Sequence, residues 1–166
     1  RKAHCMFGWD WGIRLPDSGV WRKICLELIE NGRIEGVHVR QIHGPDGVRL
    51  TIEAGTELPG PGTQIQFSVL GPDGRLIFER TVRAVERCVQ TVELDAPRLW
   101  WPAGYGGQPL YRVTVALFKG VRLLDSRQLS VGLRTVSLFR GEQNQGDYQI
   151  LVNGVPIYIK GANIVI

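Results

Sequence analysis

The sequence predicts an all-β protein: an immunoglobulin-like antiparallel β-sandwich of about seven strands, with flanking β segments from neighbouring domains. Three observations carry this. Apolar residues recur at period two instead of the helical 3.6. Gly, Pro, Asn or Asp interrupt the chain every ten residues or so. Between Asn31-Gly32 and about Gly132 lie seven strand candidates, which in roughly 100 residues is the size of an immunoglobulin-like sandwich.

The elements follow in order. Residues 1 to 30 hold a dense aromatic turn, Phe7-Gly8-Trp9-Asp10-Trp11-Gly12, and then a strand from Val20 to Ile29. Too short to bury their own apolar residues, they read as the tail of a preceding β domain. The seven sandwich strands fall near 33–42, 48–54, 64–70, 75–82, 88–94, 110–118 and 122–131. In the second, Val48, Leu50, Ile52 and Ala54 point one way and Arg49, Thr51 and Glu53 the other, the alternation of a half-buried strand. The third sets Ile65, Phe67 and Val69 against Gln64, Gln66 and Ser68. The sixth sets Tyr111, Val113, Val115 and Leu117 against Arg112, Thr114 and Ala116. Gly44-Pro45-Asp46-Gly47 and Gly71-Pro72-Asp73-Gly74 each join a φ-fixing Pro to an Asp-Gly that tolerates positive φ, so each closes a hairpin. The Cys pair and central Trp of antibody domains are missing from the pattern. After the sandwich, Tyr148 to Val152, Asn153-Gly154 and Val155 to Lys160 spell a second hairpin, and Ile164-Val165-Ile166 continue as a buried strand would.

Composition narrows the function classes. The net charge is +4, but the 20 Lys and Arg are dispersed, which argues against a nucleic-acid partner. No apolar run is long enough to cross a bilayer, so no membrane partner is expected. Cys5, Cys25 and Cys88 form no CxxC and cannot all pair. They read as free, mostly buried thiols, which leans towards a reducing, cytoplasmic compartment. Both ends look cut out of running sequence, so no leader can be read from Arg1 onwards.

The acidic residues do not form a catalytic pair. Glu53, Asp46 and Asp73 sit on an outward strand face or in turns, where solvated carboxylates belong. His4, His38 and His43 lack metal-binding spacing, and neither a metal nor a cofactor is expected. Gly104-Tyr105-Gly106 opens a dinucleotide fingerprint that fails at Pro109, with no helix following. Trp9-Asp10-Trp11 is the segment whose composition asks for a function. Aromatic faces can flank a sugar while the carboxylate between them accepts hydrogen bonds from hydroxyls. A buried aromatic turn, with Asp10 capping backbone amides, is the competing reading. A second aromatic knot, Leu99 to Tyr111, contains Trp101-Pro102 and reads as a loop packing against a neighbour.

Four motifs, in order, resemble glycoside hydrolase family 2, and β-mannosidases within it. His4-Cys5-Met6-Phe7-Gly8-Trp9-Asp10-Trp11-Gly12, followed by Leu15-Pro16-Asp17-Ser18-Gly19-Val20-Trp21-Arg22, is similar to the end of that family's sugar-binding domain. Trp100-Trp101-Pro102, Gly104-Tyr105-Gly106 and Gln108-Pro109-Leu110-Tyr111 resemble its immunoglobulin-like domain. Gly132-Leu133-Arg134-Thr135-Val136 and Val152-Asn153-Gly154-Val155-Pro156-Ile157, ending in Lys160-Gly161-Ala162-Asn163, resemble the approach to its catalytic barrel.

The resemblance implies three parts: 1–31, the end of a jelly-roll sugar-binding domain; 32–135, the sandwich; and 136–166, a hairpin entering a (β/α)8 barrel that is not present. It implies a retaining exo-hydrolase releasing terminal β-D-mannose through two barrel glutamates. The family's acid/base glutamate follows an asparagine, and no Asn-Glu dipeptide occurs here. No catalytic residue is therefore assigned, and the chain by itself is expected to be inactive. The substrate contacts carried over are Asp10, with Trp9 and Trp11 shaping its loop, and Asn163 near the pocket floor. Arg134 matches a family arginine at the sandwich–barrel boundary and reads as structural. The family continues from that asparagine with an aromatic residue and Ile-Pro, where this chain has Ile164-Val165-Ile166. That departure leaves open a galactosidase, glucuronidase or glucosaminidase of the same family. A free-standing carbohydrate-binding sandwich is the reading from a different class, and the apolar chain end argues against it. The implied partners are a β-mannoside or related glycan and the chain's own sugar-binding and barrel domains.

Overall fold

The computed structural model describes residues 4–8, 12–29, 31–57, 59–140 and 148–162. Two compact units are present, Arg1–Leu28 with Tyr158–Ile166, and Ile29–Ile157.

The larger unit is a β-sandwich followed by a small sheet. Its strands are β1 (Arg33–His43), β2 (Gly47–Glu57), β3 (Thr63–Leu70), β4 (Leu76–Arg83), β5 (Arg87–Asp95), β6 (Tyr111–Lys119), β7 (Arg122–Val131), β8 (Val136–Arg140), β9 (Tyr148–Val152) and β10 (Val155–Ile157). One layer has the order β1-β2-β5 and the other β4-β3-β6-β7, with every pair antiparallel. This is the two-sheet immunoglobulin-like arrangement, and its seven strands match the expected ones to within three residues at each end.

The period-two pattern becomes the core. Val48, Leu50, Ile52 and Ala54 from β2 face Ile65, Phe67 and Val69 from β3 and Val113, Val115 and Leu117 from β6, all buried. Sheet-on-sheet packing of this kind excludes water from both inner faces, at about 1.5–3 kcal/mol for each large apolar side chain. Ala116 points outward but is also buried, because its short side chain lies between Gln66 and Ser126 in the register. Tyr111 opens β6, and its buried hydroxyl accepts the Arg98 N–H at 2.9 Å. Such a tyrosine pins the connection before the strand in many sandwiches.

Both predicted hairpins form, and their glycines serve different ends. In 71–74, Gly74 has φ +82° and Asp73 Oδ1 accepts the Arg75 N–H at 3.1 Å. In 44–47, the Gly44 N–H reaches the Gly47 carbonyl at 2.9 Å. Gly47 is required by space instead of by φ, since a Cβ there would overlap the Leu94 carbonyl oxygen.

A charged clasp joins the two layers at a break in β1. The register of β1 shifts between Ile34 and Gly36. Ile34 is buried on the edge strand of its layer, where backbone groups turned away from β2 need partners from elsewhere. Asp125 Oδ2 accepts its N–H at 2.9 Å, Arg127 Nη2 donates to its carbonyl at 3.3 Å, and the two side chains pair at 3.0 Å.

Three expectations are corrected. Residues 20–29 do not form a strand: they have no sheet neighbour among the described residues, and Leu26 is fully exposed. An isolated strand leaves a row of backbone groups unpaired, and that pairing is the reason strands form at all. Cys25 lies in this stretch and is exposed, so only Cys88 is a buried thiol. The second strand of the 148–160 hairpin stops at Ile157, and β8, not anticipated, pairs with β9 to give a third sheet of order β10-β9-β8.

Replacing Asp125 with Ala should lower stability by about 2 kcal/mol in urea unfolding, the size of a charge-assisted bond to a buried amide. Asp125→Asn keeps an acceptor for Ile34 and should lose less than half of that.

Candidate functional site

Trp9, Asp10, Trp11 and Asn163, the residues singled out for substrate, lie outside the described residues. The chain on either side of the aromatic triplet is described. Residues His4–Phe7 form a 3-10 turn, Gly8 has φ +99°, and the Leu15 N–H donates to the Met6 carbonyl at 3.0 Å. Met6 and Leu15, on either side of residues 9–11 in sequence, are thus joined by one backbone hydrogen bond.

The side-chain cluster that the structure builds most fully lies within the larger unit, where the sandwich meets the small sheet. Its centre is Trp100, in the connection from β5 to β6. The Trp100 N–H donates to the Leu133 carbonyl at 2.8 Å, and its own carbonyl accepts Asn153 Nδ2 at 3.1 Å. The Arg134 guanidinium lies 4.6 Å from the centre of the Trp100 ring, a cation–π contact. Gly132 lies against the same indole, and a Cβ there would come within 2.8 Å of Trp100 Cγ. Trp101 makes its own close approach to a glycine, Gly106, and its N–H donates to the Gly107 carbonyl at 2.9 Å.

Asn153 occupies the left-handed region at φ +52°, which asparagine tolerates better than most residues. It engages Thr135 twice: its N–H donates to the Thr135 carbonyl, and its Oδ1 accepts the Thr135 N–H, both at 3.0 Å. With the bond to Trp100, the carboxamide is used at both ends. On the β1 side, Gln41 Oε1 accepts the Arg134 N–H at 3.0 Å and lies 2.9 Å from His43 Nε2, while Gln41 Nε2 reaches the Gly132 carbonyl at 3.4 Å. Arg134 Nη1 also donates to the Gly132 carbonyl, at 3.2 Å. The guanidinium expected to serve a domain boundary is thus engaged inside its own unit. Burial pushes the His43 imidazole below its ordinary value.

Elsewhere among the described residues, several charges pair across strands. Glu53 is held below the usual carboxylate range, chiefly by its hydrogen bond from Arg87, and Arg49–Glu93 and Arg33–Glu57 pair across strands in the same way. Among the described residues no group of three or more His, Cys, Asp or Glu could hold a metal ion. An open groove of about 620 Å³ at one end of the sandwich mixes Asp73, Glu93 and Asp95 with Arg75 and Arg98. Its aromatic residue, Tyr111, already has its hydroxyl engaged by Arg98. What the described residues build most fully is the bonded junction around Trp100.

The fold thus defines an immunoglobulin-like β-sandwich followed by a bonded sheet junction. Residues 32–134 match the family model for glycosyl hydrolases family 2, and residues 1–22 match that of the glycosyl hydrolase 2 galactose-binding domain-like group. The chain belongs to glycosyl hydrolase family 2. It is 30% identical to Beta-mannosidase B of Emericella nidulans over 98% of its own length and 20% of that protein. Beta-mannosidase B of Thermothelomyces thermophilus is 28% identical over the same shares. The crystal structure of Beta-D-Mannosidase from Dictyoglomus thermophilum matches with a TM-score of 0.85 and 31% identity, over 99% of this chain and 21% of that one. The β-glucuronidase of Ruminococcus gnavus, at TM-score 0.57 and 22% identity over 78% of this chain and 19% of its own, shares the fold. The chain spans about a fifth of the length of the curated relatives it matches.

Sequence reasoning had Arg134 and the aromatic knot but gave the interface role to Trp101, and it read Asn153 only as a turn residue. The signal available was the Asn153-Gly154 pair together with Gly132, whose missing side chain is explained by Trp100.

Asn153→Gly keeps the left-handed backbone and removes the carboxamide bonds, so it should lower stability by about 1–3 kcal/mol in chemical denaturation. Asn153→Ala should cost about 1 kcal/mol more, from backbone strain. The depressed His43 value makes the unfolded chain the better proton binder below pH 6.5. Stability from this group is therefore present above 6.5 and lost as pH falls through the lowered folded value, and unfolding curves of His43→Gln should lack that acid-side loss.

Proposed function

We propose that this chain is the non-catalytic β-sandwich part of a retaining exo-β-glycosidase that releases terminal β-D-mannose. In this reading residues 1–31 end a sugar-binding domain, 32–135 space it from the catalytic domain, and 136–166 lead into a (β/α)8 barrel. The observation that carries it is the extent of the likeness. The two β-mannosidase B relatives and the Dictyoglomus β-mannosidase match 98–99% of the chain, flanks included. The β-glucuronidase matches 78%.

Hydrolysis with retention needs one carboxylic acid to protonate the leaving oxygen and a second carboxylate to form the glycosyl intermediate. Both are assigned to the barrel. The work of this chain is positional: a junction fixed by Trp100, Arg134 and Asn153 holds the small sheet at one angle to the sandwich. Asp10 supplies an acceptor for sugar hydroxyls, Trp9 and Trp11 shape its loop, and Asn163 lies near the pocket floor.

A panel of aryl β-glycosides offered to the polypeptide at its natural length tests this, with the 166-residue chain as control. Turnover of the mannoside by the long form alone is the expected result, and Asp10→Ala should reduce kcat/KM by about 100-fold or more, the loss of a charged substrate contact. Preference for a galactoside, glucuronide or glucosaminide would keep the architecture and overturn the substrate. Saturable mannobiose binding by the short chain without hydrolysis by either form would favour a binding module.

A further inference from the structure

The two sides of the sandwich are finished differently. Where β1 meets β7, the Asp125–Arg127 clasp ties one layer to the other. At the opposite side stand β4 and β5, each the last strand of its layer, with no further strand beside either among the described residues. Leu76 and Ile77 of β4 and Glu93 to Asp95 of β5 line the same open groove. A strand that leaves one row of N–H and C=O groups unpaired is a template for another strand. β4 runs for eight residues, and Leu76 and Ile77 at its start are half-exposed.

One residue of β4 breaks the pattern of its face. In the register with β3, Phe78 lies opposite Val69, Arg80 opposite Phe67 and Val82 opposite Ile65, so all three belong to the core-facing side. Phe78 and Val82 pack against the core. Arg80, between them, is exposed, and no ion pair engages it among the described residues. A charge held on the inward side of an edge strand is one of the ways in which native sheets prevent strands from adding to them.

The possible registers show what this charge opposes. A second copy that pairs with β4 by two-fold symmetry runs antiparallel about an axis perpendicular to the sheet. Opposite residues then share a face, and their numbers sum to an even value. Two such registers use most of the strand. Pairing residues 77–83 sets Arg80 against the same residue of the second copy, and pairing 76–82 sets Glu79 against its own counterpart. Like charges directly opposite each other are destabilising. In both registers the guanidinium would also leave water without gaining a counter-ion across the strands. Slipping past these contacts leaves only 76–80 or 79–83 paired. We infer that Arg80 is a guard residue: its charge, on the core side of an edge strand, keeps β4 from adding to β4 of a second copy.

Sedimentation velocity and hydrogen exchange on the polypeptide at natural length test this. In the wild type, amides on the free edge of β4 should exchange as fast as those of an unstructured peptide, at low and high protein concentration alike. Arg80→Val clears the 77–83 register. It should self-associate about tenfold or more tightly than the wild type, with slowed exchange in β4 of the larger species. Arg80→Glu keeps a charge at the position and like charges opposite each other, so it should sediment as the wild type does. A folded Arg80→Val that sediments like the wild type would overturn the inference. Equal association of Arg80→Glu and Arg80→Val would do the same, because charge would then not be the barrier. Protection of the free β4 edge in the wild type would also overturn it, since the strand would already be covered, and that measurement needs no variant.

Discussion

The larger unit depends on how the peptide of Trp100 is held. Its N–H is bonded to the link between β7 and β8 and its carbonyl to the turn between β9 and β10, so one residue of the β5–β6 connection ties both ends of the small sheet to the sandwich. Each bond is worth about 1 kcal/mol net, which is modest alone. Leaving either group buried and unpaired would cost more than the bond gains, and this asymmetry makes the junction specific. The indole takes its place because Gly132 has no Cβ and because Arg134 covers its face. Three strands this short are marginal by themselves, so the small sheet owes much of its order to this anchorage.

At the side of the sandwich where β1 meets β7, a different chemistry does the same task. Ile34 lies on the edge strand of its layer, and the Asp125–Arg127 pair on β7 meets both its amide and its carbonyl. With its arginine half-exposed, the pair would contribute little as a simple salt bridge. Its value lies in satisfying a buried peptide across the two layers. Apolar burial holds the sheets together without direction, whereas the clasp and the Trp100 junction supply direction.

The sandwich strands were legible because period two is a local property, as Leu50, Phe67 and Val115 illustrate. What the sequence concealed depends on distant partners. Residues 20–29 alternate as a strand should, yet pairing needs a neighbour that their own residues cannot specify. Gly47 was credited with backbone freedom, while its role is to let β2 run past the Leu94 carbonyl. Asn153 announced a turn, but its carboxamide bonds to Trp100 and Thr135 span 53 and 18 residues. For the candidate site, motif order pointed to Trp9, Asp10, Trp11 and Asn163. The geometry of those four side chains lies outside the described residues.

Under the proposed reading, the placement of bonds explains why a spacer should be built this way. A pocket assembled from more than one domain is sensitive to their separation, and a misplacement of about 1 Å can cost a hundredfold in rate. A glycine-rich linker would let the angle between sandwich and small sheet wander over many ångströms. Here the link from β7 to β8 is residues 132–135, and each of its four residues is hydrogen-bonded: Gly132 to Gln41 and Arg134, Leu133 to Trp100, Arg134 to Gln41, and Thr135 to Asn153. A connection with every member engaged behaves as a splint, and its stiffness comes from side chains on β1 and the β9–β10 turn, not from its own length. The specificity of the junction then has one cause: these residues are committed to holding an angle, and their donors and acceptors are spent on that.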